Sequence, residues 1–299
     1  MAVEIKTGLP VCPVACKYCM ASKLHLRADY WKQCKRIGLN KSSVFINRAP
    51  NDPSLQEMNF PWDLFQWDYL GYQGTSDCFW SIFKDDLRYL VKMVLKWNIR
   101  RLCLISKIPI TDEQIEILNP LKDGRRVALC YSITGMDALE KTTTKSRIEA
   151  LVRIREAGFK DYLPVIHPYI HGYTPIKEIF QELRDNGFKE FSFKGFRYDP
   201  EGMESLRGYI PEPVLQQYEK GGQEVLVGEE EVRKLASEMG LREIGVKDFY
   251  HRNPMPRTTS STIKEEKEKL MGIINHPYTV ISSSASTDDV LNYCASRRL

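Results

Sequence analysis

Cys12, Cys16 and Cys19 lie within the eight residues CPVACKYC, and the chain holds only eight cysteines in all. Three thiolates spaced C-x3-C-x2-C in one turn-rich loop can converge on a single soft metal centre. A 4Fe–4S cube offers one ligand position per iron and usually takes four thiolates. Three leave one iron open to a second molecule, an arrangement suited to catalysis rather than electron carriage. The competing chemistry is zinc, which would draw its fourth ligand from His25 in a C-x3-C-x2-C-x5-H set. The other cysteines, Cys34, Cys78, Cys103, Cys130 and Cys294, are scattered singly. That argues against a disulfide framework and for a reducing, cytoplasmic setting.

The elements that must position this loop follow a steady rhythm. A short strand-like piece, VEIKT (3–7), precedes it. Further apolar, β-branched runs predict strands at 66–71, 99–106, 126–133, 162–170 and 191–196. Between them come helical patterns. In DDLRYLVKMVLKWN the buried face is expected to be Leu87, Leu90, Val91, Val94 and Leu95. Thr111 opens a helix, with Gln114 completing a capping box. SRIEALVRIREA (146–157) is stopped by Gly158. Thr174 and Pro175 are expected as N-cap and first position of a helix that buries Ile176, Ile179, Phe180 and Leu183. Two units echo each other: REAGFKDY starts at Arg155 and RDNGFKEF at Arg184, 29 residues later, about one βα repeat.

Repeated right-handed crossovers imply an α/β fold with a parallel sheet, doubly wound or barrel-shaped. Either way its chemistry lies at the carboxyl ends of the strands. After about residue 200 the rhythm loosens. A helix is expected at 228–240, a Pro/Ser/Thr-rich loop at 251–262, a helix at 263–274, a strand at 278–283 and a last helix at 287–296. The organisation expected is a core over 1–200 and an extension over 201–299 that packs on or closes it.

Composition is that of an ordinary globular protein, 42% hydrophobic and 27% charged, in 299 residues. A net charge of 43 − 39 = +4 does not by itself imply a nucleic-acid partner. No apolar run is long enough for a membrane span, and the N-terminus lacks the pattern of a secretory signal.

The C-x3-C-x2-C motif near the start of a βα-repeat chain, with the aromatic Tyr18 before its third cysteine, resembles the radical S-adenosylmethionine (SAM) enzymes. The resemblance covers roughly residues 5 to 200, where that family has a partial (β/α)6 barrel, here with a small C-terminal α/β extension. It implies a 4Fe–4S cluster on Cys12, Cys16 and Cys19. It implies too that SAM is cleaved reductively to a 5′-deoxyadenosyl radical that takes a hydrogen atom from a substrate, with an external donor such as flavodoxin or ferredoxin. The family's GGE motif would fall on GYQGTSD (71–77). Gly74, Thr75, Ser76 and Asp77 would then approach the SAM amino group, although the literal GGE is absent; alternatively this is a plain strand-to-helix loop capped by Asp77. Ser132 and Thr134 share one strand face and would reach the ribose and carboxylate, or act as turn residues. Arg147 would bind the carboxylate, or be a solvated helix residue. Ile170 and Gly172 match an I-x-G pattern beside the adenine, which Phe196 and Arg197 would also meet. CPVACKYC and the GTSD loop resemble the spore-photoproduct-lyase-like branch, which would make the substrate a nucleotide or nucleic acid; a small molecule is the class favoured ahead of it, and a peptide comes last. His167 and His171 flank one strand end, as a substrate acid–base pair or as hydrogen-bonding rim residues. Cys130 lies two positions before Ser132, as a hydrogen-atom donor or a small buried hydrophobe. Outside this family the alternatives are an iron–sulfur electron carrier and a zinc-binding module.

Overall fold

The computed structural model describes residues 2–7, 12–19, 36–40, 43–48, 66–72, 77–97, 99–197, 203–219, 224–225, 227–252, 262, 264–266, 268–269 and 280–281. Its strands are β1 (Ala2–Thr7), β2 (Arg36–Asn40), β3 (Ser43–Arg48), β4 (Leu70–Tyr72), β5 (Leu102–Ser106), β6 (Val127–Ile133), β7 (Tyr162–Tyr169), β8 (Glu190–Arg197), β9 (Glu224–Val225), β10 (Arg242–Glu243) and β11 (Val280–Ile281). The α-helices are α1 (Lys84–Lys96), α2 (Asp112–Leu118), α3 (Thr144–Glu156), α4 (Ile176–Asp185), α5 (Glu212–Gln216), α6 (Glu229–Glu238) and α7 (Val246–His251).

β1, β4, β5, β6, β7 and β8 pair in that order, each parallel to the next. α1 to α4 occupy the crossovers after β4, β5, β6 and β7. The chain is therefore an α/β protein built on a six-stranded, partial (β/α)6 barrel. The row does not close on itself. Beyond β1 it continues through β3, β2 and β11, and beyond β8 through β10, with β9 antiparallel on β8. β2 and β3 form an antiparallel hairpin that the periodicity reading does not assign.

Strand β6, VALCYSI, is buried along its whole length, as a strand covered on both faces must be. Its Leu129, Tyr131 and Ile133 join the main core, which gathers side chains from α1, α3, α4 and α6. Ala128 and Cys130 point the other way, by the alternation of a strand, into a second cluster with Tyr69, Cys103, Leu163 and Val165. In α1 the buried residues are Leu87, Leu90, Val91, Met93 and Val94. Leu95, expected inside, is 48% exposed. Met93 is buried instead: at 100° per residue it and Leu95 lie on opposite flanks of the Leu87, Leu90, Val91 and Val94 stripe, and the packing covers the Met93 flank.

The echoed segments close their helices identically. Gly158 and Gly187 adopt φ +89° and +79°. Gly158 N donates to Arg155 O and Phe159 N to Ile154 O; Gly187 N donates to Arg184 O and Phe188 N to Leu183 O. These are the paired bonds of a Schellman ending. A third copy, unassigned in sequence, ends α6: Gly240 at φ +72°, with Gly240 N donating to Ser237 O and Leu241 N to Ala236 O. Its strand, β10, joins β8. The capping box of Thr111 and Gln114 is present.

The floor of the barrel is closed by α7. Val246, Phe249 and Tyr250 pack against the Cys103, Cys130, Leu163 and Val165 side of the sheet. Arg101, fully buried, donates to the carbonyls of Phe249 (2.9 Å) and Tyr250 (3.3 Å) and pairs with Asp161 at 2.6 Å. It thus supplies donors at the carboxyl end of the helix, where the Phe249 carbonyl also accepts from Arg252 N. Phe249→Ala is expected to cost about 3–5 kcal/mol, seen as a lower denaturation midpoint at unchanged slope. An unchanged midpoint would mean that α7 contributes nothing to the barrel.

Candidate functional site

The cysteine loop is two consecutive turns. Ala15 N donates to Cys12 O and Cys19 N to Cys16 O, both at 3.1 Å. Ala15 takes φ +47° to make the first turn, a left-handed setting that costs a residue with a Cβ about 1–2 kcal/mol. None of the three cysteines is in a disulfide, and all three are partly exposed. The loop is sewn to the segment after β6 by two backbone bonds at 3.0 Å, Lys17 N to Leu139 O and Lys141 N to Val14 O. Ser205 Oγ donates to Lys17 O at 2.6 Å.

Between those two backbone bonds stands Glu140, its side chain wholly buried. One carboxylate oxygen accepts from the Lys107 ammonium at 2.5 Å and faces the Cys16 thiol at 3.5 Å. The other accepts from Thr134 Oγ1 at 2.7 Å and from Arg147. Lys107 lies at the end of β5; its ammonium also meets the Tyr18 hydroxyl and stands 3.8 Å from the Cys16 sulfur. A Lys–Glu–Arg chain thus joins the ends of β5 and β6, α3 and the cysteine loop. Burial pushes the Cys16 thiol up to about 12, lowers Lys107 to about 8, and raises Glu140 to about 6 against the pull of Arg147. Neither Lys107 nor Glu140 belongs to any motif in the sequence. Position could find Lys107, a charged residue directly past the carboxyl end of β5, but not Glu140, which lies beyond a further turn after β6.

Asp77 is buried, and both its carboxylate oxygens are engaged. It accepts from Phe79 N (3.0 Å), Ser106 Oγ (2.5 Å), Lys107 N (2.6 Å) and Ile108 N (3.2 Å). The bond to Phe79 N is the loop cap that one reading of GYQGTSD foresees; the others tie β4 to the segment that carries Lys107. Gly74, Thr75 and Ser76 lie outside the described residues, as do His25, Cys34 and Cys294 and the helix expected at 287–296.

Ser132 Oγ donates to His167 O at 2.6 Å, and Thr134 joins the Glu140 and Arg147 group. Arg147 is not the solvated helix residue that was one alternative. It is fully buried, with Nη1 donating to Ser132 O at 3.0 Å and Nη2 to Thr142 O at 2.7 Å. α3 turns it inward beside Ile148 and Leu151, and Glu140 supplies the countercharge that burial requires. Other basic residues of this helix are spent on neighbours: Arg153 Nη1 donates to Ile110 O, and Arg155 Nη1 to Asn186 O.

Tyr18, Ile170 and Phe196 meet in one apolar cluster with Met136, Leu139, Met203, Leu206 and Tyr218, against which Cys16 packs. Gly172 follows at φ +77°. Arg197 ends β8. Thr174, expected as an N-cap, instead accepts from Ile170 N at 2.9 Å, and Pro175 stands in the capping position before α4. The two histidines part company. His167 lies within β7. His171 lies past its end, its Nδ1 3.1 Å from the Tyr169 hydroxyl and its backbone N–H donating to Tyr218 at 2.7 Å. A Cβ on Gly228 would fall 2.1 Å from that imidazole, so only glycine fits against it. Cys130 is on the concave face, but at the floor beside α7 rather than at the mouth. Burial pushes its thiol up to about 12, against a hydrogen bond with Tyr250.

Among the described residues no three His, Cys, Asp or Glu side chains converge as they would on a single metal ion. A cube held through one thiolate per iron needs its sulfurs farther apart than one ion does. Three partly exposed cysteines, none in a disulfide, on one loop fit such a group.

No protein-family model matches the chain. No curated protein matches it either. Two solved structures are similar to it at 13% identity, one of Streptococcus suis SuiB (TM-score 0.44) and one of SuiB bound to S-adenosylmethionine (TM-score 0.41). Each covers 94% of this chain, which spans 58% and 57% of theirs. No helix among the described residues is long and apolar enough to cross a membrane.

Proposed function

We propose that this chain is a radical SAM enzyme whose cluster is held by Cys12, Cys16 and Cys19. One observation carries the reading: a C-x3-C-x2-C loop, its cysteines partly exposed and not in disulfides, is docked at the carboxyl ends of a six-stranded parallel partial barrel, the end where such barrels do their chemistry. When bound, the cluster and SAM supply a 5′-deoxyadenosyl radical able to take a hydrogen atom from a substrate. The chain's own residues hold and shelter that chemistry. Glu140 and Lys107 fix the middle cysteine. Thr134 and Arg147 fix Glu140. Tyr18, Ile170, Phe196 and their apolar neighbours keep water from the mouth. α7 closes the opposite end, so a substrate enters from the cysteine side. The loop 73–76, which carries Gly74, Thr75 and Ser76, is assigned to the SAM amino group on the resemblance alone. The substrate class favoured is a small molecule, and the electron comes from an external donor.

Anaerobic reconstitution is expected to give about four irons and four sulfides per chain. With dithionite and SAM the brown protein is expected to release 5′-deoxyadenosine. One bound zinc without sulfide, or a cluster that leaves SAM intact, would overturn the reading.

A further inference from the structure

Resting on the radical SAM reading, we propose that Lys107 tunes the cluster's reduction potential: its ammonium, seated between the Cys16 sulfur and the Glu140 carboxylate, favours the reduced state. The geometry is specific. The ammonium stands 3.8 Å from the sulfur and 2.5 Å from Glu140 Oε1, which is itself 3.5 Å from the sulfur. Once Cys16 ligates iron it has no proton to give, so the carboxylate would face a bare thiolate. Lys107 stands at both and cancels that repulsion. Among the described residues, and apart from its fellow ligand Cys19, the charged groups around Cys16 are Lys107, Glu140 and, behind Glu140, Arg147. They sum to one positive charge. Reduction adds one negative charge to the cluster, and a positive charge close by in a poorly solvated site stabilises the product. A hydrogen bond to a ligating sulfur acts in the same direction. Lys107 is held for this role from behind, since its backbone N–H donates to the buried carboxylate of Asp77 at 2.6 Å. It is a positioning and tuning residue, touching a ligand rather than the reacting atoms.

The test is a redox titration of the anaerobically reconstituted chain, followed by the cluster's electron paramagnetic resonance signal. Lys107→Met is expected to lower the equilibrium constant for reduction at least tenfold, about 59 mV downward for one electron. Lys107→Arg is expected to restore most of that shift. Glu140→Gln is expected to move the midpoint upward, because it removes the opposing charge while keeping the shape. Equal midpoints in Lys107→Met and the parent would overturn the proposal. So would shifts of Lys107→Met and Glu140→Gln in the same direction, since disturbed packing has no reason to change sign with charge. If Lys107→Met does not load, Glu140→Gln decides alone, and an unmoved or lowered midpoint overturns the proposal. A parent chain that takes up no cluster would sink the radical SAM reading itself, and this inference with it.

Discussion

Cys16→Ala is expected to abolish both cluster loading and release of 5′-deoxyadenosine while leaving the fold in place. The loss is complete because the other described cysteines cannot stand in. Cys78, Cys103 and Cys130 are buried. Cys78 is turned to the carbonyl of Ile105, and Cys103 and Cys130 lie at the barrel floor with α7. The fold is spared because the thiol is partly exposed and makes only long contacts, to Glu140 at 3.5 Å and to Lys107 at 3.8 Å. The loop keeps its backbone bonds to Leu139 and Val14. Unfolding of the iron-free variant is expected within about 1 kcal/mol of the parent, the worth of one hydrogen bond. Iron and sulfide analysis, product analysis and a denaturation curve check the three parts. Parent-like iron content would remove Cys16 from the ligand set.

Asp77→Ala is expected to be the most damaging single change to stability, at least about 3 kcal/mol. The carboxylate is buried and collects four donors, three of them backbone N–H groups. Alanine takes the partner from Phe79 N and Lys107 N, while Ile108 N keeps Ser106 Oγ and Ser106 Oγ keeps Ile108 O; an orphaned donor costs its full desolvation. Asp77→Asn keeps one acceptor oxygen and is expected to fall between. The measurement is denaturant unfolding of the iron-free protein. It separates the two roles of this residue: a SAM contact predicts an unchanged iron-free midpoint with weaker SAM binding, whereas a structural tie predicts the reverse order of effects. Because Asp77 also holds the backbone of Lys107, the variant is expected to disturb the Cys16 environment as well.

Sequence alone determined the local parts. The Schellman endings at Gly158 and Gly187, the capping box at Thr111 and the strands β5 to β8 depend on residues a few positions apart. Backbone geometry and short hydrogen bonds therefore wrote them into spacing. The cysteine motif is local in the same sense. What only the tertiary structure decided is who meets whom across the barrel. Leu95 and Met93 lie on opposite flanks of one stripe, and which flank is covered depends on what packs against α1. The hairpin of β2 and β3 depends on β1 accepting β3 as a neighbour. Arg147 could be read as solvated until the burial of Glu140 gave it a partner. Glu140 is 124 residues from Cys16 and Lys107 is 91, and no periodicity links residues so far apart. They meet because parallel strands deliver their carboxyl ends to one rim, and because a charge buried at that rim has to find its opposite.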